Sequence, residues 1–166
     1  MTDQEYILKL KEATDYVDGS LVWKESYRSR KKGRPIGTAH NKGYREANFH
    51  GRRYLLHTLV FAYHYGYFPK MLDHIDGDRL NNRIENLREC NHKENGYNSK
   101  TRSNNTSGHK GVSWHRKVNK WTVRLKVGET YKYLGLYEDF ELACFVADEA
   151  RSKHHKEFAN NGNKIT

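Results

Sequence analysis

The sequence has few apolar residues and no long run of them. Hydrophobic residues make up 36% of the 166 positions, and the mean hydropathy is −1.04. No apolar stretch approaches the roughly 18 residues that a membrane-spanning helix requires. This absence excludes an integral membrane protein, and we expect no membrane partner.

Cysteine is equally scarce. The two cysteines, Cys90 and Cys144, lie 54 positions apart, so they form neither a disulfide framework nor a closely spaced zinc-binding pair. No secretory signal is recognisable ahead of the first predicted helix. We therefore expect a protein of the reducing cytoplasm.

Aromatic and basic residues, by contrast, are abundant. The 12 tyrosines, 6 phenylalanines and 3 tryptophans are too many for a chain that never buries a core, which argues against full disorder. Lysine and arginine number 30 against 20 acidic residues, which gives a net charge of +10. A basic, aromatic-rich chain with a small core favours a polyanionic partner, above all nucleic acid.

The positive charge falls in two blocks. Residues 24–53 carry ten basic and two acidic side chains, a net charge of +8, and residues 100–132 carry nine and one, again +8. The segment 54–99 between them is nearly neutral and holds a tight acidic cluster. Two basic surfaces around an acidic pocket suit a phosphate backbone held at a metal site. Charge alone also leaves open a basic surface that is merely solvated.

Hydrophobic periodicity and turn residues predict an α+β protein with two folded regions. Residues 1–98 are predicted to form a ββα-type body, and the polar segment 99–107 a linker. Residues 108–158 are predicted to form a small three-stranded antiparallel sheet followed by a helix, and 159–166 a tail. The predicted helices outside the central motif cover residues 3–13, 57–65 and 139–154, and the predicted strands of the second region cover 111–115, 121–126 and 131–136.

Four polar residues of the segment 71–99 form the candidate site. Asp73 and His74 end a short apolar strand, Asn86 opens a second strand, and Asn95 lies on a helix that Asn91 caps. A hairpin packed on a helix would bring the four candidates into one cleft. They comprise two hard oxygen ligands, a base that titrates near neutral pH, and an amide able to orient it. Phosphodiester hydrolysis needs such groups, because a water must be activated and the charge on the leaving oxygen neutralised.

Several neighbouring polar residues are better explained as structural. Asp76, Gly77 and Asp78, and likewise Asn81 and Asn82, are typical turn residues and are not taken as ligands. An EF-hand is excluded, because the glycine falls between the two aspartates and no glutamate occupies the twelfth position. His57, at the start of the predicted helix 57–65, is interpreted as a packed residue rather than a ligand.

Three stretches of this region resemble the HNH endonucleases of the phage group, which includes homing nucleases. They read HTLVFAYH (57–64), LDHIDGDRLNNRIENLREC (72–90) and HKENGYN (92–98). The resemblance implies a ββα-metal nuclease fold over residues 15–100.

The same resemblance assigns roles within that fold. It implies that His74 is the general base, that Asp73 and Asn95 bind one divalent metal, and that Asn86 orients His74. The third signature position is asparagine instead of histidine, which favours Mg²⁺ or Mn²⁺ over zinc. The cysteine pairs that hold structural zinc in some members are missing, so no structural zinc is expected.

Residues 106–158 resemble the AP2 DNA-binding domain. The similarity rests on SGHKGVSWHRKVNKWTVRLKV (107–127) and on the helix that follows. It implies a sheet placed in the major groove of duplex DNA, with the helix packed behind. The side chains predicted to contact nucleic acid are Arg30, Lys31 and Lys32 in the first basic block and Lys110, Trp114, Arg116, Lys120, Arg124, Lys126 and Lys132 in the second.

Together these features predict a metal-dependent DNA endonuclease, specifically a site-preferring, homing-type nickase or double-strand cutter. Its partner would be double-stranded DNA, bound by a monomer or weak dimer, in the host cytoplasm if a phage encodes it. A single active site would nick one strand per visit. Two alternatives stay open: a non-catalytic DNA-binding regulator on the same scaffold, and an RNA-directed nuclease.

Overall fold

The computed structural model of the protein describes residues 1–162, which form a mixed α/β structure. The chain divides into two compact units, Met1–Cys90 and a second that begins at Asn91. The first unit contains α1 (Asp3–Ala13), β1 (Thr14–Val17), β2 (Ser20–Trp23), β3 (Thr38–Ala39), β4 (Arg45–Phe49), β5 (Arg52–Leu55), α2 (Leu56–Tyr65), β6 (Leu72–His74), a 3₁₀ turn (Ile84–Asn86) and β7 (Leu87–Glu89). The second contains α3 (His92–Tyr97), β8 (Val112–His115), β9 (Lys120–Val127), β10 (Thr130–Tyr137), α4 (Phe140–His155) and a 3₁₀ turn (Lys156–Phe158).

Helix α1 starts where the sequence predicted it. The Thr2 hydroxyl accepts from Glu5 N–H, and the Glu5 carboxylate accepts from Thr2 N–H, which completes a capping box. Tyr6 and Leu10, four residues apart on one helical face, are fully buried. They pack with residues of α2 and β2 into the core of the first unit.

The strands of the first unit form three small sheets. β1 and β2 form a hairpin, β3, β4 and β5 form an antiparallel sheet in that order, and β6 pairs with β7. The β1–β2 turn at Asp18 and Gly19 has positive φ at both residues, as a two-residue hairpin turn requires. The β6–β7 hairpin carries the predicted active-site pair at the end of its first strand.

The second unit packs a three-stranded antiparallel sheet against α4. The strand order is β10–β9–β8, and Val123, at the centre of the sheet, is fully buried together with Ala143 of the helix. The three predicted strands and the predicted helix 139–154 are thus present, with bounds that differ by one or two residues. No helix within residues 1–162 is long and apolar enough to cross a membrane.

The division between the units falls before α3, earlier than the predicted boundary at residue 98. The segment predicted as a linker is hydrogen-bonded within the second unit: the Ser107 hydroxyl donates to the Val112 carbonyl at 2.7 Å, and Asn105 Nδ2 to the His109 carbonyl at 3.0 Å. The described part of the predicted tail also belongs there, because Asn161 Oδ1 accepts from Arg151 at 2.8 Å. Residues 163–166 lie outside the described part of the chain.

Candidate active site

The β6–β7 hairpin positions the predicted catalytic pair. In its register Asp73 lies opposite Arg88, and His74 lies opposite Leu87. Asp73 is 6% exposed and His74 5% exposed, although charged and polar side chains are seldom buried without partners. The hairpin therefore brings a carboxylate and an imidazole to the buried end of one strand.

Arg88 supplies the counter-charge for Asp73. Its Nη2 and Nε donate to Asp73 Oδ2 at 2.8 and 3.1 Å. Burying the carboxylate without such a partner would be strongly unfavourable. Sequence reasoning missed Arg88. The available signal was the hairpin register, which places an arginine directly across from the aspartate.

Asn86 closes the loop that joins β6 to β7. Its Nδ2 donates to Asp76 Oδ1 at 3.0 Å and to the Asn81 carbonyl at 2.8 Å, and its Oδ1 accepts from Asp76 N–H at 3.0 Å. Both amide protons and the amide oxygen are thus used within the loop. These hydrogen bonds hold the loop that follows His74, and the predicted role of Asn86 in orienting His74 stays a prediction.

Asp76 is the centre of this loop. Burial would raise its pKa, but hydrogen bonds from Asp78 N–H and from the amides of Asn81 and Asn86, together with the nearby His74, outweigh burial and lower the pKa. The Asn81 bond is 2.6 Å long. Asp76, Asp78 and Asn81 therefore have the turn-forming roles predicted for them.

Asn82 is the residue that contacts His74. Its Oδ1 lies 2.9 Å from His74 Nε2, and the asparagine is only 2% exposed. A carboxamide oxygen can only accept a hydrogen bond, so Nε2 carries the proton and the lone pair of the neutral imidazole lies on Nδ1. The sequence assigned Asn82 to a turn, and the structure assigns it to the orientation of His74.

The β1–β2 turn packs closely against the backbone at Asn82 and Arg83. Arg83 Nε donates to Asp18 Oδ1 at 2.6 Å. Gly19 adopts φ +80°, and a Cβ at this position would lie 2.8 Å from Arg83 N and 3.1 Å from the Asn82 carbonyl carbon. Only glycine therefore lets the turn approach this closely.

Two further rings lie beside His74. The His57 ring centroid is 5.0 Å from that of His74 in a T-shaped contact, and Tyr44 lies 5.4 Å from His57 and 6.1 Å from His74. Burial, followed by the charge of the nearby His74, lowers the pKa of His57 to about 4. His57 is therefore a neutral wall of the site at physiological pH, in keeping with its predicted packing role.

Because the pKa of His57 is depressed, we expect the free energy of unfolding to decrease in mild acid. An unfolded histidine takes up a proton near pH 6.5, whereas folded His57 stays neutral until about pH 4. The stability that neutral His57 contributes is therefore complete above pH 6.5 and is lost as the pH falls towards 4. Between pH 7.5 and pH 5 the loss is on the order of 2 kcal/mol.

Urea denaturation at these two pH values measures this loss. The variant His57→Phe should retain more of its stability at pH 5 than the wild type does. Equal losses in the two proteins would show that His57 is not the responsible group. His115→Phe, at an exposed position of β8, is the matched control.

Helix α3, which presents Asn95, belongs to the second unit. The Asn91 side chain accepts from Lys93 N–H at 2.9 Å and Glu94 N–H at 3.0 Å, and the Glu94 carboxylate accepts from Asn91 N–H at 2.8 Å. This is the capping arrangement that the sequence predicted. Asn95 itself is exposed. The structure thus brings Asp73 and His74 together in the first unit and places Asn95 in the second.

The C-terminal end of α3 is fastened to the rest of the second unit. The Tyr97 ring stacks on His155 of α4 with centroids 3.7 Å apart, and its hydroxyl accepts from Gly128 N–H at 2.6 Å. Asn160 Nδ2 donates to the Asn98 carbonyl at 2.9 Å. A helix of six residues would not be stable alone, so these contacts hold it.

Lys110 strengthens the same attachment. Its Nζ donates to the carbonyls of Tyr97 at 2.8 Å, Ser99 at 2.6 Å and Asn160 at 3.3 Å, which uses all three of its protons. Burial, followed by the charge of Arg151, lowers the pKa of Lys110 to about 8. The structure therefore gives Lys110 a structural role, and its predicted contact with nucleic acid stays a prediction.

Trp114 and Lys132 lie on the helix side of the sheet. Trp114 is opposite Trp121, and their rings meet at 4.9 Å, while Trp121 packs at 4.6 Å on Phe140 of α4. Lys132 Nζ lies 3.4 Å from Nε2 of His154, also on α4. Successive side chains of a strand point to opposite faces of the sheet. Both residues therefore lie on the face towards α4, and not on the opposite face, where the resemblance implied DNA contact.

The outer face of the sheet, away from α4, retains a basic and aromatic surface. Arg124 is paired in register with Tyr133, and Lys126 with Tyr131, and all four side chains are exposed. Cross-strand partners share a face, so these residues form one surface on which cations lie beside aromatic rings.

Five other residues predicted to contact nucleic acid lie at the rim of the sheet or in the first unit. Arg116 is exposed in the β8–β9 turn. Lys120 pairs with Glu138 at 3.1 Å. The Arg30 guanidinium lies 4.3 Å above the Trp23 ring, and Lys31 and Lys32 are exposed next to it.

The β6–β7 hairpin lies in a segment whose sequence matches a known family. Residues 54–97 match the family model described as HNH endonuclease. The HNH segment, as we now call residues 54–97, includes α2, the hairpin with Asp73 and His74, and α3 with Asn95.

A phage protein is also similar. Protein 3.8 of Escherichia phage T7 is 45% identical over 67 residues, which cover 39% of this chain and 55% of the relative. The chain thus spans about half the length of the curated relative it matches. No solved structure matches the chain significantly.

The donor set of the HNH segment fits a hard divalent ion. No group of three or more His, Cys, Asp or Glu side chains that could hold a metal occurs within residues 1–162. Mg²⁺ does not need such a cage, because it is commonly held by one or two carboxylates, with waters and substrate phosphates completing its shell. The Asp73 carboxylate and the exposed Asn95 amide are oxygen donors of the required kind.

Proposed function

We propose that the protein is a metal-dependent DNA endonuclease in which His74 is the general base. One observation carries this proposal: a buried Asp73–His74 pair, in which Asn82 fixes the protonated nitrogen of His74, lies within the HNH segment. A histidine with merely structural duties has no need of a defined lone pair beside a compensated carboxylate. A general base does need one.

His74 would take a proton from the attacking water at Nδ1. The Asn82 oxygen holds Nε2–H, which stabilises the imidazolium that forms and keeps the ring in place. His57, neutral because it is buried, keeps solvent from one side of the ring without adding positive charge. Arg88 keeps Asp73 in position on the neighbouring strand.

Asp73 and Asn95 would hold the metal, which we propose to be Mg²⁺ or Mn²⁺. When bound, the ion supplies positive charge that neutralises the leaving oxygen of the phosphodiester. The Asp73 carboxylate and the Asn95 amide both offer oxygen atoms, which hard ions prefer. We expect metal affinity to depend on both donors.

We further propose that the second unit anchors duplex DNA in the manner implied by its AP2-like sequence. Arg124 and Lys126 on the outer face would contact phosphates, with Arg116 at the rim and Arg30 to Lys32 of the first unit adding charge. A few side chains of the strands that reach base edges would give the homing-type site preference. A monomer or weak dimer acting in the host cytoplasm would nick one strand per binding event.

The deciding experiment is incubation of the protein with supercoiled plasmid. With Mg²⁺ or Mn²⁺ we expect nicked product first, and with excess EDTA none. Binding without cleavage in either metal would favour the non-catalytic regulator instead. Cleavage that persists in excess EDTA would contradict the metal-dependent mechanism.

Variants of Asn82 test how His74 is held. Asn82→Ala removes the acceptor for Nε2–H and should lower the single-turnover rate by about 10–100-fold. Asn82→Asp keeps an acceptor but adds negative charge, which favours the imidazolium, so the rise of rate with pH should move to higher pH.

Asn81→Ala provides the control, since it removes a loop hydrogen bond but leaves the His74 contact. It should keep the wild-type pH profile. If Asn82→Asp also keeps that profile, then Asn82 does not act through His74.

A further inference from the structure

A cleft of about 730 Å³ lies within the second unit. β8 pairs with β9 only as far as Val123, so the part of β9 that follows has no strand on this side. Gly111 accepts from Arg124 N–H at 2.9 Å, and His155 Nε2 lies 2.7 Å from the Lys126 carbonyl, which partly covers the edge. Helix α3 and residues 99–105 form the facing wall.

The cleft is strongly basic. Lys100 and Arg102 line one wall, and Arg124 and Lys126 line the other. All four are exposed, and none forms an ion pair in the part of the chain that the structure describes. The single acidic side chain at the cleft, Glu129, is neutralised by Lys93 at 3.4 Å. The cleft therefore attracts an anion with several charges.

The size of the cleft and an exposed ring define the anion further. A cleft of this volume holds a group the size of a small ligand, on the order of two nucleotides, and is too small for a duplex. Tyr131, which is 67% exposed, lies at the cleft on β10 opposite Lys126. An exposed ring beside unpaired cations is the arrangement by which proteins stack the bases of single strands while binding their phosphates.

The cleft is preformed. Its floor contains Arg151, which is 1% exposed and donates to the Lys110 carbonyl and to Asp148 Oδ1, the latter at 2.5 Å. The stacked pair of Tyr97 and His155 fixes the wall formed by α3. The same helix presents Asn95, so a strand lying in the cleft would run along the helix that bears a proposed metal ligand.

We propose that this cleft binds an unpaired stretch of one DNA strand, with Lys100 and Arg102 on its phosphates and Tyr131 on a base, while Arg124 and Lys126 at the cleft edge contact the adjoining duplex. The inference rests on the proposed function only in taking DNA as the substrate. It adds that the preferred DNA has unpaired nucleotides near the cut, as a gap, nick or opened segment does.

Fluorescence anisotropy in EDTA tests the proposal without cleavage. The probes are a labelled duplex and the same duplex with a gap of four unpaired nucleotides. The wild type should bind the gapped probe about tenfold more tightly, within the range expected for stacking one base. Tyr131→Ala and Lys100→Ala/Arg102→Ala should lose this preference, while their affinity for intact duplex changes by less than about threefold.

The control variant Lys9→Ala/Lys153→Ala removes the same charge from helix surfaces outside the cleft and should keep the preference. Photocrosslinking from 5-iodouracil in the gap should label peptides within residues 93–131, a readout that needs no variant. Equal affinity of the wild type for both probes, or equal loss on both probes in the cleft variants, would overturn the proposal.

The outcome is separable from that of the proposed function. A protein that prefers the gapped probe but never cuts plasmid in Mg²⁺ would retain the cleft assignment and refute the endonuclease. A protein that cuts plasmid but binds both probes equally would support the endonuclease and refute the cleft assignment.

Discussion

Replacing His74 by alanine is expected to lower the rate of DNA cleavage by about 10²–10⁴-fold, the usual contribution of a general base. DNA affinity should change little, because His74 is 5% exposed and would act on water in the chemical step only. The measurement is single-turnover cleavage at saturating protein, together with binding in EDTA. Cleavage at the wild-type rate would refute the assignment of His74.

A second histidine on the same unit provides the control. His64→Ala removes an exposed imidazole on α2, which contacts Tyr16 at 4.5 Å, and should leave the rate unchanged. Adding free imidazole should restore part of the activity of His74→Ala, since the small base can enter the vacated space. Restoration would separate a lost base from a damaged fold.

Local signals in the sequence predicted most of the fold. The capping residues Thr2 and Asn91, each with a glutamate three positions on, mark helix starts because both partners lie within one turn. Alternation of apolar and basic residues likewise predicted β9, since side chains of period two cover opposite faces of a sheet. These elements were predictable because each depends on residues close together in the sequence.

The same signals could not assign the asparagines of the loop after β6. Asn81, Asn82 and Asn86 all lie in a polar run that reads uniformly as turn. Which of them meets His74 depends on how the loop folds back around Asp76 once the hairpin closes, and on the turn at Gly19, more than 60 positions earlier. Composition and spacing contain no record of such distant contacts.

Lys110 has a structural role that its charge alone does not indicate. It lies in a +8 block, beside the strands that the AP2 resemblance implied for DNA contact, and charge alone gives no reason to separate it from Lys126. Its partners are backbone carbonyls of residues 97, 99 and 160, which only the folded second unit brings together.

The pair Lys110→Met and Lys126→Met tests this difference directly, because each variant removes one positive charge from the same unit. Lys110→Met leaves three carbonyls without their donor and frees the end of α3, so we expect a lower melting temperature and a single-turnover rate reduced by about tenfold or more even at saturating protein. Lys126→Met removes an exposed cation from the outer face. It should weaken binding and reduce the salt dependence by about one phosphate contact, with the rate at saturation unchanged. If Lys110→Met instead behaves like Lys126→Met, Lys110 is a DNA contact after all and α3 does not depend on it. If its melting temperature falls while its rate at saturation is unchanged, the attachment of α3 serves stability alone.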